Sequence, residues 1–331
     1  MTKEKIVILG SGSMGTAMAY LIGGNGFSVT VWGREKDAVE EINARHENRH
    51  SLPGVKLPVA VRATLDLKEA LKGADLVVAA LPAQVTGEVF KKAAPFISKR
   101  AFVLTVSKGI EVKTGRTVSK VINDILKQTI KKQIAVLMGP LFASEISTNI
   151  PTMGLVATPS KQLFNKIKKI LSSPNFFVRY SDDVLGAELA GALKNIYAIM
   201  LGVADGLGYG WNTKSAALTY AVAEMAEIGY FLGGRKETFY GLAGLGDLLT
   251  TGFGEKSRNR RFGEKICQLK NTDEALKTVG QVVEGVETLK VIIKMLKPIK
   301  KKTPLIHVIY NLVNKKENPC ALFKDIFEKS I

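Results

Sequence analysis

Within its first 32 residues the sequence commits to a nucleotide-binding turn. Lys5-Ile6-Val7-Ile8-Leu9 is a β-branched run of the kind that forms a strand buried on both faces of a parallel sheet. It passes directly into Gly10-Ser11-Gly12-Ser13-Met14-Gly15, a G-x-G-x-x-G. A helical stretch (17–23) and a second strand (28–32, SVTVW) follow. Such a fingerprint alone is weak evidence. Set between strand and helix in a unit of about thirty residues, it specifies a dinucleotide cradle. Gly10 allows the tight turn, Gly12 lets backbone amides approach a pyrophosphate, and Gly15 permits close helix packing. The helix N-terminus then offers donors and a positive dipole end to the phosphates.

The carboxylate that usually meets the ribose 2′-hydroxyl is missing at the end of the second strand, where the chain reads Trp32-Gly33-Arg34-Glu35. Arg34 is placed to stack on adenine or to meet a 2′-phosphate, while Glu35 remains within reach of a ribose. Either NAD or NADP is therefore an acceptable cofactor. Further on, His46-Glu47-Asn48-Arg49-His50 matches the zinc-peptidase signature H-E-x-x-H letter for letter. That motif needs a helix with an apolar inner face and a third ligand downstream. Here the flanks are Asn43 and Arg45, and Ser51-Leu52-Pro53-Gly54 ends any helix at once, so no metal is expected.

A helix is predicted at 67–72, followed by buried strands at 75–82, 101–106 and 134–138. Open parallel sheets present the carboxyl ends of their strands to ligands. Pro82-Ala83-Gln84, Ser107-Lys108-Gly109 and Gly139-Pro140-Leu141 all fall at such ends, and Lys108 is positioned there to meet an anion.

From about residue 181 the alternation stops and helical patterns take over, at 185–208, 215–229, 272–279, 286–295 and 305–312. The expected architecture is α/β: a Rossmann-like doubly wound sheet over 1–180, followed by an all-α domain over 181–331. The 185–208 stretch is apolar on nearly every face, through Leu189, Leu193, Ile196, Ile199, Met200 and Val203. Such a helix belongs in a core or a membrane. Glu188, Lys194, Asn195, Asp205 and several glycines argue against membrane insertion. Lys194 then stands where an ammonium is almost never buried unpaired, and burial tunes a lysine toward proton transfer. Farther along, Ser257-Arg258-Asn259-Arg260-Arg261 gathers guanidinium forks suited to bidentate phosphate binding.

The net charge of +17 is spread along the chain, and its densest run, 297–302, has no interleaved aromatics. This favours a basic surface that attracts anionic metabolites over a nucleic-acid platform. The two cysteines, Cys267 and Cys320, supply no disulfide framework. The apolar run before the first glycine is too short for a signal peptide, and a cytoplasmic location is expected.

Seven stretches then carry a resemblance: GSGSMGTA at 10–17, SKGIE at 107–111, GPLFASE at 139–145, LKNIYAI at 193–199, GLAGLGDL at 241–248, SRNRRFG at 257–263 and GQVVEGVET at 280–288. Together they resemble the soluble bacterial type of NAD(P)-dependent glycerol-3-phosphate dehydrogenase, in family order and over nearly the whole chain. The resemblance implies reduction of dihydroxyacetone phosphate to sn-glycerol 3-phosphate with NADH or NADPH, a role in phospholipid synthesis, and a homodimer. It implies Lys194 as proton donor and acceptor with Asp247 beside it. Lys108, Asn195, Thr251, Ser257, Arg258 and Asn259 would hold the substrate, with Gly139 lining it. Ser13, Met14, Arg34 and Ala143 would line the cofactor, joined by Lys108 and Arg258, with Val282 and Glu284 closing over it. Two positions depart from the family pattern. An aromatic residue is common where Met14 stands, altering stacking near the pyrophosphate. A small hydroxyl residue is common where Leu141 stands, which leaves substrate contact there to the backbone. Another two-domain dehydrogenase, acting on a phosphorylated or acidic hydroxy compound, is the alternative.

Overall fold

The computed structural model describes residues 4–126, 134–280 and 282–315, with positions 318, 319, 321, 323 and 328. Cys320 and Gln281 lie outside the described residues. The chain forms two compact units, one of residues 1–107 and 118–184, the other of 108–117 and 185–331.

The first unit contains β1 (Lys5–Leu9), α1 (Ser13–Gly24), β2 (Ser28–Trp32), α2 (Lys36–Arg45), β3 (Val61–Thr64), α3 (Leu67–Leu71), β4 (Leu76–Ala79), α4 (Ala83–Ala93) and β5 (Phe102–Thr105). After an excursion at 108–117 it resumes with α5 (Val118–Leu126), β6 (Ile134–Met138), α6 (Ala143–Ile146), β7 (Thr152–Ala157), α7 (Lys161–Leu171) and β8 (Phe176–Ser181). All eight strands join one sheet in the order β8-β7-β6-β5-β4-β1-β2-β3. From β6 through β3 neighbours run parallel; β7 meets β6 antiparallel, and β8 runs parallel to β7. The expected doubly wound sheet is present, extended by an antiparallel pair.

Alternation along β1 explains the layering. Ile6 and Ile8 face one core with Met18 and Ile22 of α1, Ile146 of α6 and Ile167 of α7. Val7 and Leu9 face the other, with Leu71 of α3, Phe90 of α4 and Ile122 of α5. A strand covered on both faces must be apolar at every position, which is why KIVIL carries no period-2 pattern. Helix α1 begins at Ser13, four residues before the predicted start, so the fingerprint's second half is already helical.

The second unit is helical: α8 (Val184–Gly206), α9 (Trp211–Phe231), α10 (Lys236–Tyr240), α11 (Asp247–Phe253), α12 (Arg258–Leu269), α13 (Thr272–Val279), α14 (Glu284–Met295) and α15 (Pro304–Lys315). It also holds the one segment that the sequence pattern assigned elsewhere. Ile110–Glu111 pairs antiparallel with Arg116–Thr117, and this short hairpin carries Lys108 into the helical unit. The turn out of β5 is made at Gly109, whose φ of +127° suits glycine alone. Helix α8 is long and apolar enough to cross a membrane by composition, but 89% of that stretch is buried inside the protein. It is a core helix.

Glycines set how closely the other helices approach α8. A Cβ on Gly202 would lie 1.9 Å from the Arg260 carbonyl oxygen, and one on Gly263 would lie 2.0 Å from that of Ile199. Helices α8 and α12 therefore touch backbone to backbone. Gly263→Ala should destabilise the protein by about 1–3 kcal/mol, the range for overpacking a tight contact. Gly24→Ala, whose Cβ would meet nothing within 4 Å, should be neutral or slightly stabilising. Urea unfolding of the two variants checks the contrast, and equal midpoints would contradict it.

Candidate active site

In the second unit, Lys194 comes from the middle of α8 and is 5% exposed. Its ammonium donates to Asp247 Oδ1 at 2.8 Å and to the Thr251 hydroxyl. Asp247 and Thr251 lie one turn apart on α11, which follows a π-helical turn, Leu242–Gly246. A π-turn shifts the face a following helix presents, a device frequent at functional sites. Gly252 lets α11 approach: a Cβ there would lie 2.3 Å from the Leu201 side chain on α8. Lys108 arrives from the hairpin and donates to the other carboxylate oxygen, Oδ2, at 2.6 Å. One aspartate, itself 1% exposed, thus bridges two ammonium groups.

This arrangement leaves Lys194 easy to deprotonate. Burial pulls its pKa down from 10.5 to about 8, against the Asp247 carboxylate, which holds it up; the neighbouring Lys108 cation adds to the lowering.

Beside this cluster, α8, α12 and α14 meet at two asparagines. Asn259 Nδ2 donates to Asn195 Oδ1 at 3.0 Å, and Asn259 Oδ1 accepts from Gly285 N at 2.9 Å. A side chain on Gly285 would collide with the Asn195 carbonyl, 2.5 Å away. Packing α14 this closely brings Glu284, its first residue, to Arg258, whose Nη2 donates to Glu284 Oε1 at 2.8 Å. Val282, just ahead, is 51% exposed. Ser257 caps α12, its hydroxyl accepting from Arg260 N at 3.2 Å. The first turn of α12 carries Arg258, Arg260 and Arg261 and no acidic residue. Cations at the positive end of a helix dipole are unfavourable unless an anion joins them. Glu284 answers Arg258, and Asp205 answers Arg260 at 2.6 Å; Arg261 is exposed. The electrostatics of this helix end suit a phosphate.

The remaining predicted residues lie in the first unit. A Cβ on Gly10 would sit 2.4 Å from the Ala80 oxygen, and one on Gly15 1.9 Å from the Gly10 oxygen, whereas one on Gly12 would meet nothing within 4 Å. Gly10 and Gly15 are thus required by the protein's own packing, and the open side of Gly12 is left to a ligand. An open cavity of ≈ 980 Å³ runs past Gly10, Gly12, Arg34, Glu35 and Asn48. These features fit a dinucleotide. Ser13 is exposed and donates to the Ser51 oxygen at 2.5 Å, and Met14 packs partly against the core. Gly139, at φ +126°, leads into Leu141, whose side chain is in the core beside Gly154. Ala143 opens α6. The H-E-x-x-H residues follow the end of α2, with His46 in the left-handed conformation, so they share no helix face.

Two features were not legible from sequence. Asn48 is fully buried and donates to the Ser11 carbonyl at 2.7 Å and to Thr16 Oγ1 at 2.9 Å, steadying the glycine loop from 37 residues away. Glu224, on α9, takes the Tyr197 hydroxyl at 2.7 Å and the Leu305 and Ile306 amides at 2.8 Å each, capping α15. A single sequence carries no signal for such long-range pairs.

A model for the N-terminus of NAD-dependent glycerol-3-phosphate dehydrogenase matches residues 5–164, and one for its C-terminus matches residues 183–324. The glycerol-3-phosphate dehydrogenase [NAD(P)+] of Syntrophomonas wolfei is 42% identical over 93% of this chain and 90% of its own. That of Bacillus subtilis is 38% identical over 94% of this chain and 90% of its own. Among solved structures, the glycerol-3-phosphate dehydrogenase of Coxiella burnetii superposes with a TM-score of 0.92 at 32% identity, covering 99% of this chain and all of that one.

The depressed pKa of Lys194 has a consequence for stability. Between about pH 8 and 10.5 the unfolded chain keeps a proton at residue 194 that the folded protein releases. The unfolded state binds more protons in that window, so this residue's contribution to stability rises with pH across it. Relative to Lys194→Met, the wild type should gain on the order of 3 kcal/mol from pH 8 to 10.5. Urea unfolding at both pH values measures the difference; a constant difference would place the lysine's pKa near its ordinary value.

Proposed function

Because the chain belongs to the NAD-dependent glycerol-3-phosphate dehydrogenase family, we propose that it interconverts dihydroxyacetone phosphate and sn-glycerol 3-phosphate with NADH or NADPH. It does so in the cytoplasm, as a homodimer, and supplies glycerol phosphate to phospholipid synthesis. The observation that carries the reading is the dry lysine: an ammonium 5% exposed, with a pKa brought to about 8, held on Asp247.

The nicotinamide cofactor, when bound, supplies or accepts the hydride. Everything else falls to the chain. Gly10 and Gly15 hold the turn and the close helix packing, Gly12 lets the backbone approach the pyrophosphate, and the first amides of α1 would bind it. Arg34 would hold the adenosine end, and Ser13 and Met14, in the first turn of α1, would line the cofactor. Lys194 stands at the substrate's carbonyl oxygen; as negative charge develops there, the ammonium stabilises it and delivers the proton. Once the proton has gone, the amine is in the form that burial favours. Asp247 keeps Lys194 aimed through Oδ1 and Lys108 through Oδ2, so a second cation stands near the developing charge. Thr251, through its hydroxyl, fixes the third direction of the amine.

The substrate's phosphate lies at the first turn of α12, on Arg258 with the Ser257 hydroxyl and Asn259. Its binding energy orients the ketone. Asn195, locked by Asn259, lines the substrate. Because the Leu141 side chain is committed to the core, contact beside Gly139 is made by backbone. Glu284 and Val282, with Ala143, border the cofactor. The alternative, another two-domain dehydrogenase acting on a phosphorylated or acidic hydroxy compound, is not favoured, since both halves of the chain match the glycerol-3-phosphate family.

Lys194→Ala should lower turnover of dihydroxyacetone phosphate by at least ~10²-fold, the scale of a lost acid/base group. Near-normal turnover in that variant would remove the assignment. Reduction needs the ammonium and oxidation the free amine. The rate of reduction should therefore fall above about pH 8, and that of glycerol phosphate oxidation should rise through the same pH. Arg258→Ala should impair reduction of dihydroxyacetone phosphate far more than of unphosphorylated dihydroxyacetone. Equal loss on both would place the phosphate elsewhere.

A further inference from the structure

The end of β2 poses a problem that the structure solves in an unusual place. In NAD-binding units of this kind, a carboxylate at the strand's end accepts from the ribose 2′-hydroxyl. Position 33 cannot carry one: a Cβ on Gly33 would lie 2.6 Å from Ser11 Oγ and 2.9 Å from Ser11 Cβ. Ser11, between the first two glycines of the loop and 6% exposed, instead donates its hydroxyl to Glu35 Oε2 at 3.3 Å. Ser11 is itself fixed, its carbonyl accepting from Asn48 Nδ2 at 2.7 Å and from Thr16 Oγ1 at 3.3 Å. The missing carboxylate is thus restored two residues later and tethered to the phosphate-binding loop.

Glu35 lines the same cavity as Gly12 and Arg34. Asn48, which steadies Ser11, also borders this cavity and is fully buried, its Oδ1 having no hydrogen-bond partner. Arg34, Arg45 and Arg49 all border the cavity; Arg49 is engaged by Glu41 and Glu47, while Arg34 and Arg45 are exposed, and Arg34 is the one next to Glu35 in the chain. A carboxylate and a guanidinium of adjacent residues therefore line one cavity.

We propose that Glu35, positioned by Ser11, sets the balance between NAD and NADP. Its carboxylate accepts from a free 2′-hydroxyl and repels a 2′-phosphate that Arg34 would otherwise bind. The proposal rests on the dinucleotide reading of the first unit. It assigns discrimination to a residue outside the glycine fingerprint and makes Ser11 a positioning residue.

The test is calorimetric titration of the full-length protein with 5′-AMP and with 2′,5′-ADP, which differ only by the 2′-phosphate and need no turnover. Glu35→Gln should shift the affinity ratio toward 2′,5′-ADP by about tenfold or more, the scale of relieving one like-charge contact. Ser11→Ala should shift it the same way but less, because the charge stays and only its tether goes. A Glu35→Gln ratio within twofold of wild type overturns the proposal, even with both ligands still binding. Failure of the wild type to bind either ligand overturns the dinucleotide reading as well.

Discussion

A single carboxylate, Asp247, keeps two ammonium groups together in a nearly dry place. Two cations so close repel, and each pays a desolvation penalty; one aspartate at 2.6 and 2.8 Å compensates both only in part. What is left uncompensated falls on Lys194, the more buried of the pair, and appears as a pKa near 8. That imbalance is the basis of the proposed chemistry. A fully neutralised lysine would hold its proton too tightly, and an unpaired one would not be charged at neutral pH.

The surrounding fold is arranged to keep this cluster dry and narrow. Gly202 and Gly263 remove the side chains that would hold α8 and α12 apart, while Gly252 and Gly285 do the same for α11 and α14. Three helices, α11, α12 and α14, thus converge on one stretch of α8, from Lys194 to Val203. With the helices in backbone contact, Asn195, Asn259 and Gly285 interlock, and Arg258 falls against Glu284. The close approach of these helices is a property of residues that have no side chain.

Much of this was legible in the sequence, for identifiable reasons. β1, β2 and β6 are legible with their ends in place, because β1 and β2 are rich in β-branched residues, β6 is a continuous apolar run, and each meets a glycine at its carboxyl end. Lys194 stood out because an ionisable group in an apolar helix has few bland explanations. The rest depends on contacts distant in sequence. β3, β7 and β8 gain their identity from neighbours in the sheet, and Gly154 in β7 weakens the local signal. The hairpin that carries Lys108 is four paired residues long, too short to leave a pattern. Helix α9 runs from Trp211 to Phe231, four residues before and two after the predicted 215–229; Trp211, Tyr230 and Phe231 are exposed, so its end turns carry no buried face for a pattern to reveal. The Ser11–Glu35 tether and the glycine contacts on α8 are likewise pairings that one sequence cannot announce.

Lys194 titrates near pH 8 because it is buried beside a second cation. Its amine can be followed directly by nitrogen NMR of protein labelled at lysine Nζ, with Lys194→Met to assign the signal. A transition near pH 8, moving upward when Lys108 is replaced by methionine, is the result this account requires. A transition near 10.5 that ignores Lys108 would contradict it.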